Sequence, residues 1–205
     1  AKENIWRAVD ALGIEHRFVS TSAMNDIFVD SLKRHSNVCN GCFKVIYTMA
    51  VQTALDEGIP AIVTGLSRGQ FFETRLTSEL FLDGTIDTDT IDRTVLEARK
   101  AYHRVDDAVS DHFDVSALRR EDTWEKVEFL DFYRYCDVEL DEVYRFLGEH
   151  APWVRPSDTG RSTNCLINDV GIYVHKKERG FHNYALPYSW DVRLGHKTRE
   201  GALGE

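Results

Sequence analysis

The apolar run Ile59–Gly65, IPAIVTG, constrains the fold more than any other segment of the chain. It is short, rich in β-branched residues and apolar without alternation, which is typical of a strand buried on both faces. Such strands belong to parallel sheets, and parallel neighbours need long crossover connections that are usually helical. The run therefore predicts an α/β domain in which helices cover both faces of a parallel sheet.

Helical periodicity surrounds this run, and apolar residues recur three and four positions apart on each side of it. Two further strands are predicted, at His16–Ser20 and at Val127–Tyr135. The predicted helices are Lys2–Leu12, Asn25–His35, Phe43–Glu57, Phe71–Leu82, Asp89–His112 and Glu139–His150. Periodicity fades from Pro152 onward. We therefore expect one partial α/β domain at residues 1–150 and a polar extension, rich in Cys, Arg and His, packed on it at residues 151–205.

Charge and composition narrow the partners that the chain can have. Its 205 residues carry a net charge of −9, which disfavours a nucleic-acid backbone as ligand, so that tRNA is a weaker expectation than a small or carrier-bound anionic substrate. No apolar run reaches the length of a membrane span, and no export signal is seen. We therefore expect a cytoplasmic protein with four reduced thiols. The chain does not begin with Met, which suggests a fragment or a processed product.

Two of those thiols form a Cys-x-x-Cys motif, Cys39-Asn40-Gly41-Cys42. We expect it to be a turn in which a positive φ at Gly41 lets both sulfur atoms face one point. The motif alone is compatible with a redox dithiol, a zinc knuckle or iron–sulfur ligation. Because a predicted helix precedes the motif, where a thioredoxin-like site has a strand, the redox reading is disfavoured.

The other two cysteines differ in their surroundings. Cys136 ends a predicted strand, where a lone cysteine is usually a small buried hydrophobe. Cys165 lies in a loop rich in Gly, Ser, Thr and Asn that no core packing requires, so we expect it to be the third ligand of one metal centre. Three thiolates leave one position open for chemistry, unless a histidine closes a zinc site. The histidines considered for that position are His35, His175, His182 and His196.

Two polar segments are candidates for ligand binding. The loop Leu66–Gln70, LSRGQ, follows the buried strand, and the carboxyl ends of parallel strands are where α/β proteins bind ligands. The second segment, residues 155–199, carries eight Lys or Arg and four Asp or Glu, a local charge of +4. Arg161 lies beside Cys165 in this segment. We expect both segments to contact an anionic ligand.

The order of these motifs resembles the N-type ATP pyrophosphatase (PP-loop, adenine nucleotide α-hydrolase) superfamily over roughly residues 1–168. It is closest to the tRNA-thiolation branch, which is similar in having a Cys-x-x-Cys ahead of a helix, a buried strand ending in a TG loop and a distant third cysteine. The resemblance implies a Rossmann-like (HUP) fold, ATP with Mg²⁺, and a [4Fe–4S] cluster held by Cys39, Cys42 and Cys165. The residues expected to line the adenylate site are Thr64, Gly65, Ser67, Arg68, Gly69 and Gln70, with Arg161 from the extension.

The chain departs from that family at two points. The phosphate-binding SGGKDS loop is absent, so we expect a C-terminal portion that lacks the first strand–helix unit and partners a separate N-terminal half or a second copy. The histidine and aspartates that usually follow the TG are replaced by Ser-Arg-Gly-Gln, in which Arg68 is suited to a phosphate.

Three functions are consistent with these residues. The first is substrate adenylation followed by sulfur transfer, and the second is a PP-loop amidotransferase or ligase with structural zinc. The third is a non-catalytic partner module that zinc stabilises. The catalytic residues are not assigned by the sequence.

Overall fold

A computed structural model describes residues 2–66, 88–136, 138–154, 165–193, 195 and 197–204. The predicted helix Phe71–Leu82 and the loop residues Ser67, Arg68, Gly69 and Gln70 lie outside the described residues, as does Arg161. The described chain is mostly helical and contains one small parallel sheet with flanking helices, which is compatible with the α/β class.

Three helices precede the sheet, at Lys2–Leu12 (α1), Met24–His35 (α2) and Cys39–Glu57 (α3). Each ends at a residue in the left-handed region: Gly13 after α1 at φ 61°, Ser36 after α2 at 58° and Gly58 after α3 at 67°. Glycine is the usual residue at such a position because it has no Cβ to clash there. The predictions for α1 and α2 are confirmed. Helix α3 begins four residues earlier than the predicted Phe43, so its first turn includes both cysteines of the motif.

Gly41 contributes to the fold by close packing, and the prediction of a positive φ there is wrong, since Gly41 is not among the left-handed glycines. A Cβ built on Gly41 would lie 2.7 Å from Cγ2 of Ile27 and 3.1 Å from Cβ of Ser31. Both neighbours belong to α2, so α3 can approach α2 this closely only with glycine at that position. The core beside this contact contains Ala23, Ile27, Val45, Val109 and Val115.

The sheet joins β1 (Ala61–Thr64) to β2 (Glu128–Asp131) in parallel, with Ala61 opposite Glu128 and Thr64 opposite Asp131. The prediction of a strand within Ile59–Gly65 and of parallel pairing is therefore confirmed. The predicted strand His16–Ser20 is wrong, because those residues have no regular structure. Parallel register places the carboxyl ends of the two strands side by side, with Gly65 following β1.

Four helical segments lie between the strands in the described residues: α4 (Thr88–Arg104), α5 (Ala108–His112), a 3₁₀ turn (Ala117–Arg119) and α6 (Glu121–Lys126). The predicted single helix to His112 breaks at Asp107, whose side chain accepts hydrogen bonds from the N–H groups of Val109 and Ser110 as the cap of α5. Lys44 of α3 fixes this break: its buried Nζ lies 2.7 Å from Asp107 Oδ2 and 2.7 Å from the carbonyl oxygen of Val105.

The chain after β2 is more helical than the sequence predicted. Strand β2 ends at Asp131, and α7 (Phe132–Tyr135) replaces the second half of the predicted strand. The predicted helix at 139–150 is confirmed as α8 (Leu140–His150). The C-terminal segment, where we saw no periodicity, contains α9 (Asn168–Arg179), α10 (Ala185–Arg193) and α11 (Arg199–Gly204). Among the described residues, no helix has the length and apolar character that a membrane crossing requires.

Candidate functional site

The Cys-x-x-Cys motif forms the first turn of α3. Residues three positions apart lie on one face of a helix, so Cys39 and Cys42 are neighbours, and both are half-buried. Hydrogen bonds from outside the turn hold its backbone: the Asn40 N–H donates to Asn37 Oδ1 at 3.0 Å, and the Gly41 N–H donates to Ser31 Oγ at 3.0 Å. The turn is thus rigidly anchored to α2 and to the preceding loop.

Cys165 is exposed and lies near enough to this turn to interact electrostatically with Cys42. The N–H of Asn168 donates to the carbonyl oxygen of Cys165 at 3.1 Å, which ties the cysteine to the start of α9. Helix α9 in turn packs against the residue preceding the motif, since a Cβ on Gly171 would lie 3.1 Å from Cγ2 of Val38. The amino ends of α3 and α9 therefore converge, and they bring the predicted third cysteine to the predicted pair.

The protonation of Cys42 reflects this surrounding. Burial raises the pKa of the Cys42 thiol above its ordinary value, and the charge of the nearby Cys165 raises it further. A position in the first turn of a helix favours a thiolate through the helix dipole. Burial and the nearby Cys165 nevertheless disfavour the thiolate, so the pKa of Cys42 is raised and its proton is held to higher pH than in an exposed cysteine.

No group of three Cys, His, Asp or Glu side chains within the described residues is arranged to hold a metal ion. The structure thus brings Cys165 to the pair without placing the three sulfur atoms as a coordination shell. Cys136 follows α7 and is half-buried. Of the histidines considered, His175 Nδ1 lies 3.0 Å from the carbonyl oxygen of Phe181, and His182 Nδ1 accepts from the Tyr184 N–H. His196 lies outside the described residues.

Asn168, three residues after Cys165, is a buried polar residue that the sequence did not predict for this region. Asn168 is 3% exposed, and its Oδ1 accepts a hydrogen bond from the Tyr184 hydroxyl at 3.2 Å. Its amide nitrogen Nδ2 is buried and has no hydrogen-bond partner in the described part of the chain. Buried amide groups are nearly always paired in native proteins, so this donor needs an acceptor that the described residues do not supply.

The second candidate region is the carboxyl edge of the sheet. The Thr64 hydroxyl donates to Asp131 Oδ1 at 2.6 Å, and Arg99 Nη2 donates to both oxygens of Asp131 at 2.9 and 2.8 Å. The guanidinium of Arg99 lies 4.3 Å from the ring centroid of Phe129. Arg99 and Asp131 are 4% and 5% exposed, so this is a buried ion pair with an added hydroxyl.

Thr64 is one of the residues predicted from the sequence for this edge, but its two partners are not. Asp131 was placed inside a predicted strand and Arg99 inside a predicted helix, and no local pattern joins residues so far apart. The sequence did contain one signal: Asp131 is a charged residue in a predicted strand, and a charged residue needs a partner when it is buried. Gly65 is exposed after β1. Of the predicted adenylate-site residues that the structure describes, Thr64 faces this polar cluster.

Comparisons with known proteins leave the family open. No protein-family profile, curated protein or solved structure is significantly similar to the chain.

Proposed function

We propose that Cys39, Cys42 and Cys165 hold one metal centre in an ATP-dependent transferase of the PP-loop type, which adenylates a substrate and then transfers sulfur to it. The proposal depends chiefly on one observation: helix α9, to whose start Cys165 is hydrogen-bonded, packs against Val38, the residue that precedes the Cys-x-x-Cys turn.

The chemistry of the three thiols fits either a [4Fe–4S] cluster or zinc. Bound by three cysteines, either group leaves one coordination position open for a sulfur atom or a substrate atom. The protein's own contribution is to anchor Cys39 and Cys42 on one helical turn and to approach them with Cys165 from α9. Binding of the metal must also remove the proton from Cys42, which burial favours retaining.

The nucleotide half of the proposal places ATP with Mg²⁺ at the carboxyl edge of the sheet, in a Rossmann-like arrangement. Thr64 and Gly65 end β1 there, and the proposed site extends through Ser67, Arg68, Gly69 and Gln70 and includes Arg161. The position of the parallel strand ends supports this assignment. The partner is an anionic small molecule or a carrier-bound acceptor in the cytoplasm, and the acidic chain makes tRNA a less favoured one.

A second candidate is a zinc-stabilised partner module, and one observation favours it. Val63 in β1 is 66% exposed, whereas parallel sheets are normally covered on both faces. A separate N-terminal half or a second copy of the chain would cover this face. An amidotransferase with zinc at the same cysteines is the nearer chemical alternative.

Metal content separates these functions. Protein purified without oxygen is reconstituted with iron and sulfide or with zinc, and bound metal is counted per chain. We expect about one metal centre per chain, held by three thiolates. Binding should be abolished in Cys39→Ser, Cys42→Ser and Cys165→Ser, whereas the matched control Cys136→Ser should retain the metal. A broad absorbance near ~400 nm identifies the cluster. Colourless protein with stoichiometric zinc would exclude iron-based sulfur transfer, and metal retained in Cys165→Ser would exclude the three-cysteine centre.

Nucleotide binding is tested separately by calorimetry with ATP and Mg²⁺. Binding that weakens in Thr64→Val supports the placement of the adenylate at the sheet edge. Metal binding without any ATP binding by the chain or by its complex with an N-terminal half favours the partner module.

A further inference from the structure

Helix α9 has an exposed apolar face in addition to the side that packs on the rest of the protein. The packed side carries its buried residues, Asn168, Gly171 and Ile172. Val170, Tyr173 and Lys177 are spaced by three and four residues, so they share the opposite side of the helix. Val170 is half-exposed, Tyr173 is 65% exposed, and Leu166, in the turn that leads into α9, is 81% exposed. We call these four residues the outer face of α9, and it presents to solvent the kind of side chain that a helix normally buries.

The carboxyl end of the same helix is basic. Its last turn contains Lys176, Lys177 and Arg179 together with Glu178, so three bases against one acid give a local charge of +2. All four side chains are exposed. The Nζ of Lys177 lies 5.9 Å from the ring centroid of Tyr173, so the basic turn adjoins the apolar residues of the outer face. Positive charge is concentrated here on a chain whose net charge is −9.

The size and chemistry of the outer face narrow its partner. Helix α9 has 12 residues, so this face is about 18 Å long and about 10 Å wide. A stable protein–protein interface needs on the order of 1,000 Å², which one side of so short a helix does not supply. Single-stranded nucleic acid stacks its bases on aromatic side chains, whereas Leu166 and Val170 are aliphatic. A lipid surface needs only a shallow apolar face with basic residues beside it.

We propose that the outer face of α9 attaches the protein to the surface of a membrane rich in anionic phospholipid. Leu166, Val170 and Tyr173 enter the boundary between headgroups and acyl chains, and the basic last turn binds the lipid phosphates. Tyrosine suits this depth because its ring is apolar and its hydroxyl is polar. Since α9 is shorter than the ~30 Å hydrocarbon core, it lies on the bilayer and does not cross it. The attachment goes beyond the proposed metal centre and requires no metal.

The test is co-sedimentation of the full chain with vesicles of phosphatidylcholine alone and of phosphatidylcholine mixed with phosphatidylglycerol. We expect partitioning onto the anionic vesicles to be about tenfold or more stronger, and to weaken as salt screens the phosphates. Equal partitioning onto both kinds of vesicle overturns the proposal, as does the absence of binding to the anionic ones. This result depends on the wild-type protein alone.

Two double variants separate the apolar and the basic parts of the outer face. Leu166→Ser with Val170→Ser removes aliphatic surface, and Lys176→Gln with Lys177→Gln removes two charges, each of which contributes about fivefold near an anionic membrane. We expect either double variant to lower partitioning onto anionic vesicles about tenfold or more. Because the substituted side chains are exposed, the circular dichroism spectrum should not change. Wild-type partitioning by both double variants overturns the proposal.

Helix α2 provides the matched control. Val29 is half-exposed, and Lys33 lies four positions later on the same helix and is also exposed. The double variant Val29→Ser with Lys33→Gln therefore removes the same kinds of group from another surface, and it should partition like the wild-type protein. An equal loss in this control would show that the binding is a general property of the chain, which overturns the assignment to α9.

Two further measurements examine the other partners. Sedimentation velocity without lipid detects a dimer, and a gel shift with a single-stranded RNA detects nucleic-acid binding. A dimer that Leu166→Ser with Val170→Ser dissociates, in a chain that does not bind vesicles, would assign the outer face to a second copy. RNA binding that is lost in Lys176→Gln with Lys177→Gln, again without vesicle binding, would assign it to nucleic acid. Either result overturns the proposal.

Discussion

The sheet edge and the cysteine site both gather polar groups from distant parts of the chain, but they differ in how those groups are satisfied. At the sheet edge, Asp131 receives hydrogen bonds from Thr64 and Arg99, and the cluster is largely closed, although Arg99 Nε is buried without a hydrogen-bond partner among the described residues. At the cysteine site, the described residues do not place the three cysteines as a coordination shell, and Asn168 Nδ2 has no hydrogen-bond partner among those residues.

This difference separates a region that stabilises the fold from one that is prepared for a ligand. A closed ion pair gains nothing from a further polar ligand, whereas an unused donor does. The cysteine site is therefore the stronger functional candidate, and the sheet edge acts first as the connection between β1, β2 and α4. Nucleotide bound there would contact the exposed backbone after Thr64, and the buried pair would support that backbone.

The largest expected effect on stability is that of Asp131→Ala. It leaves the Arg99 guanidinium buried without its counter-charge, and we expect the free energy of unfolding to fall by about 3–5 kcal/mol in urea denaturation. The double variant Arg99→Met, Asp131→Leu should recover most of that loss. Asp122→Ala, which removes the carboxylate of an exposed pair with Arg120, serves as the control and should change stability little. Full stability in Asp131→Ala would mean that the sheet edge is not closed.

A smaller loss is expected at the other donor to Asp131. Thr64→Val removes the hydroxyl and keeps the shape of the side chain, so unfolding should become easier by roughly 1.5–3 kcal/mol, the range for hydrogen bonds to charged groups. Thr64→Ser keeps the hydroxyl and is the matched control. Equal stability of the two variants in urea would show that the hydroxyl contributes no net bond.

Gly41 links the cysteine turn to the core, and its replacement tests the cysteine site as Asp131→Ala tests the sheet edge. In Gly41→Ala the new methyl group would overlap Ile27, and we expect a destabilisation of about 1–3 kcal/mol together with loss of metal affinity. Gly148 of α8 has nothing within 4 Å of a built Cβ, so Gly148→Ala should stabilise by about 0.5–1 kcal/mol. Both are measured by thermal or urea unfolding.

The smallest effect is the pH dependence of the cysteine site. Since the pKa of Cys42 is raised in the folded protein, the folded state keeps the thiol proton longer than the unfolded chain does. The associated stability is present below the ordinary thiol pKa and is lost as pH rises through the folded value. Alkylation of Cys42 should begin at higher pH than that of a denatured control, and Cys165→Ser should move it part of the way back. A Cys42 that titrates like a free thiol would remove the argument for proximity.

Local signals predicted much of the helical structure. Helix α1 ends at Gly13 and α3 at Gly58, as the positions of the glycines indicated. The start of α3 and the break before α5 were predicted wrongly, although each has a local signal. Asn37 accepts the Asn40 N–H near the start of α3, and Asp107 with Ser110 forms a capping box at the start of α5. At both boundaries a local side-chain hydrogen bond, and not the apolar periodicity, marks where the helix begins.

The site was harder to predict because its contacts are non-local. The Cys-x-x-Cys spacing located one half, and the composition of the loop around Cys165 suggested the other. Asn168 has no sequence signature, since its burial and its hydrogen bond to Tyr184 arise only in the folded chain. Thr64 and Asp131 are joined only when the parallel register brings β2 beside β1, and Arg99 reaches Asp131 from α4.

That register has a consequence for how the chain folds. Thr64 and Asp131 meet although they are 67 positions apart, so their pairing must overcome a large loop-closure entropy before any contact rewards it. Contacts between α2 and α3 are local by comparison and can form early. We therefore expect Gly41→Ala to slow refolding, whereas Thr64→Val should leave the refolding rate nearly unchanged and instead accelerate unfolding.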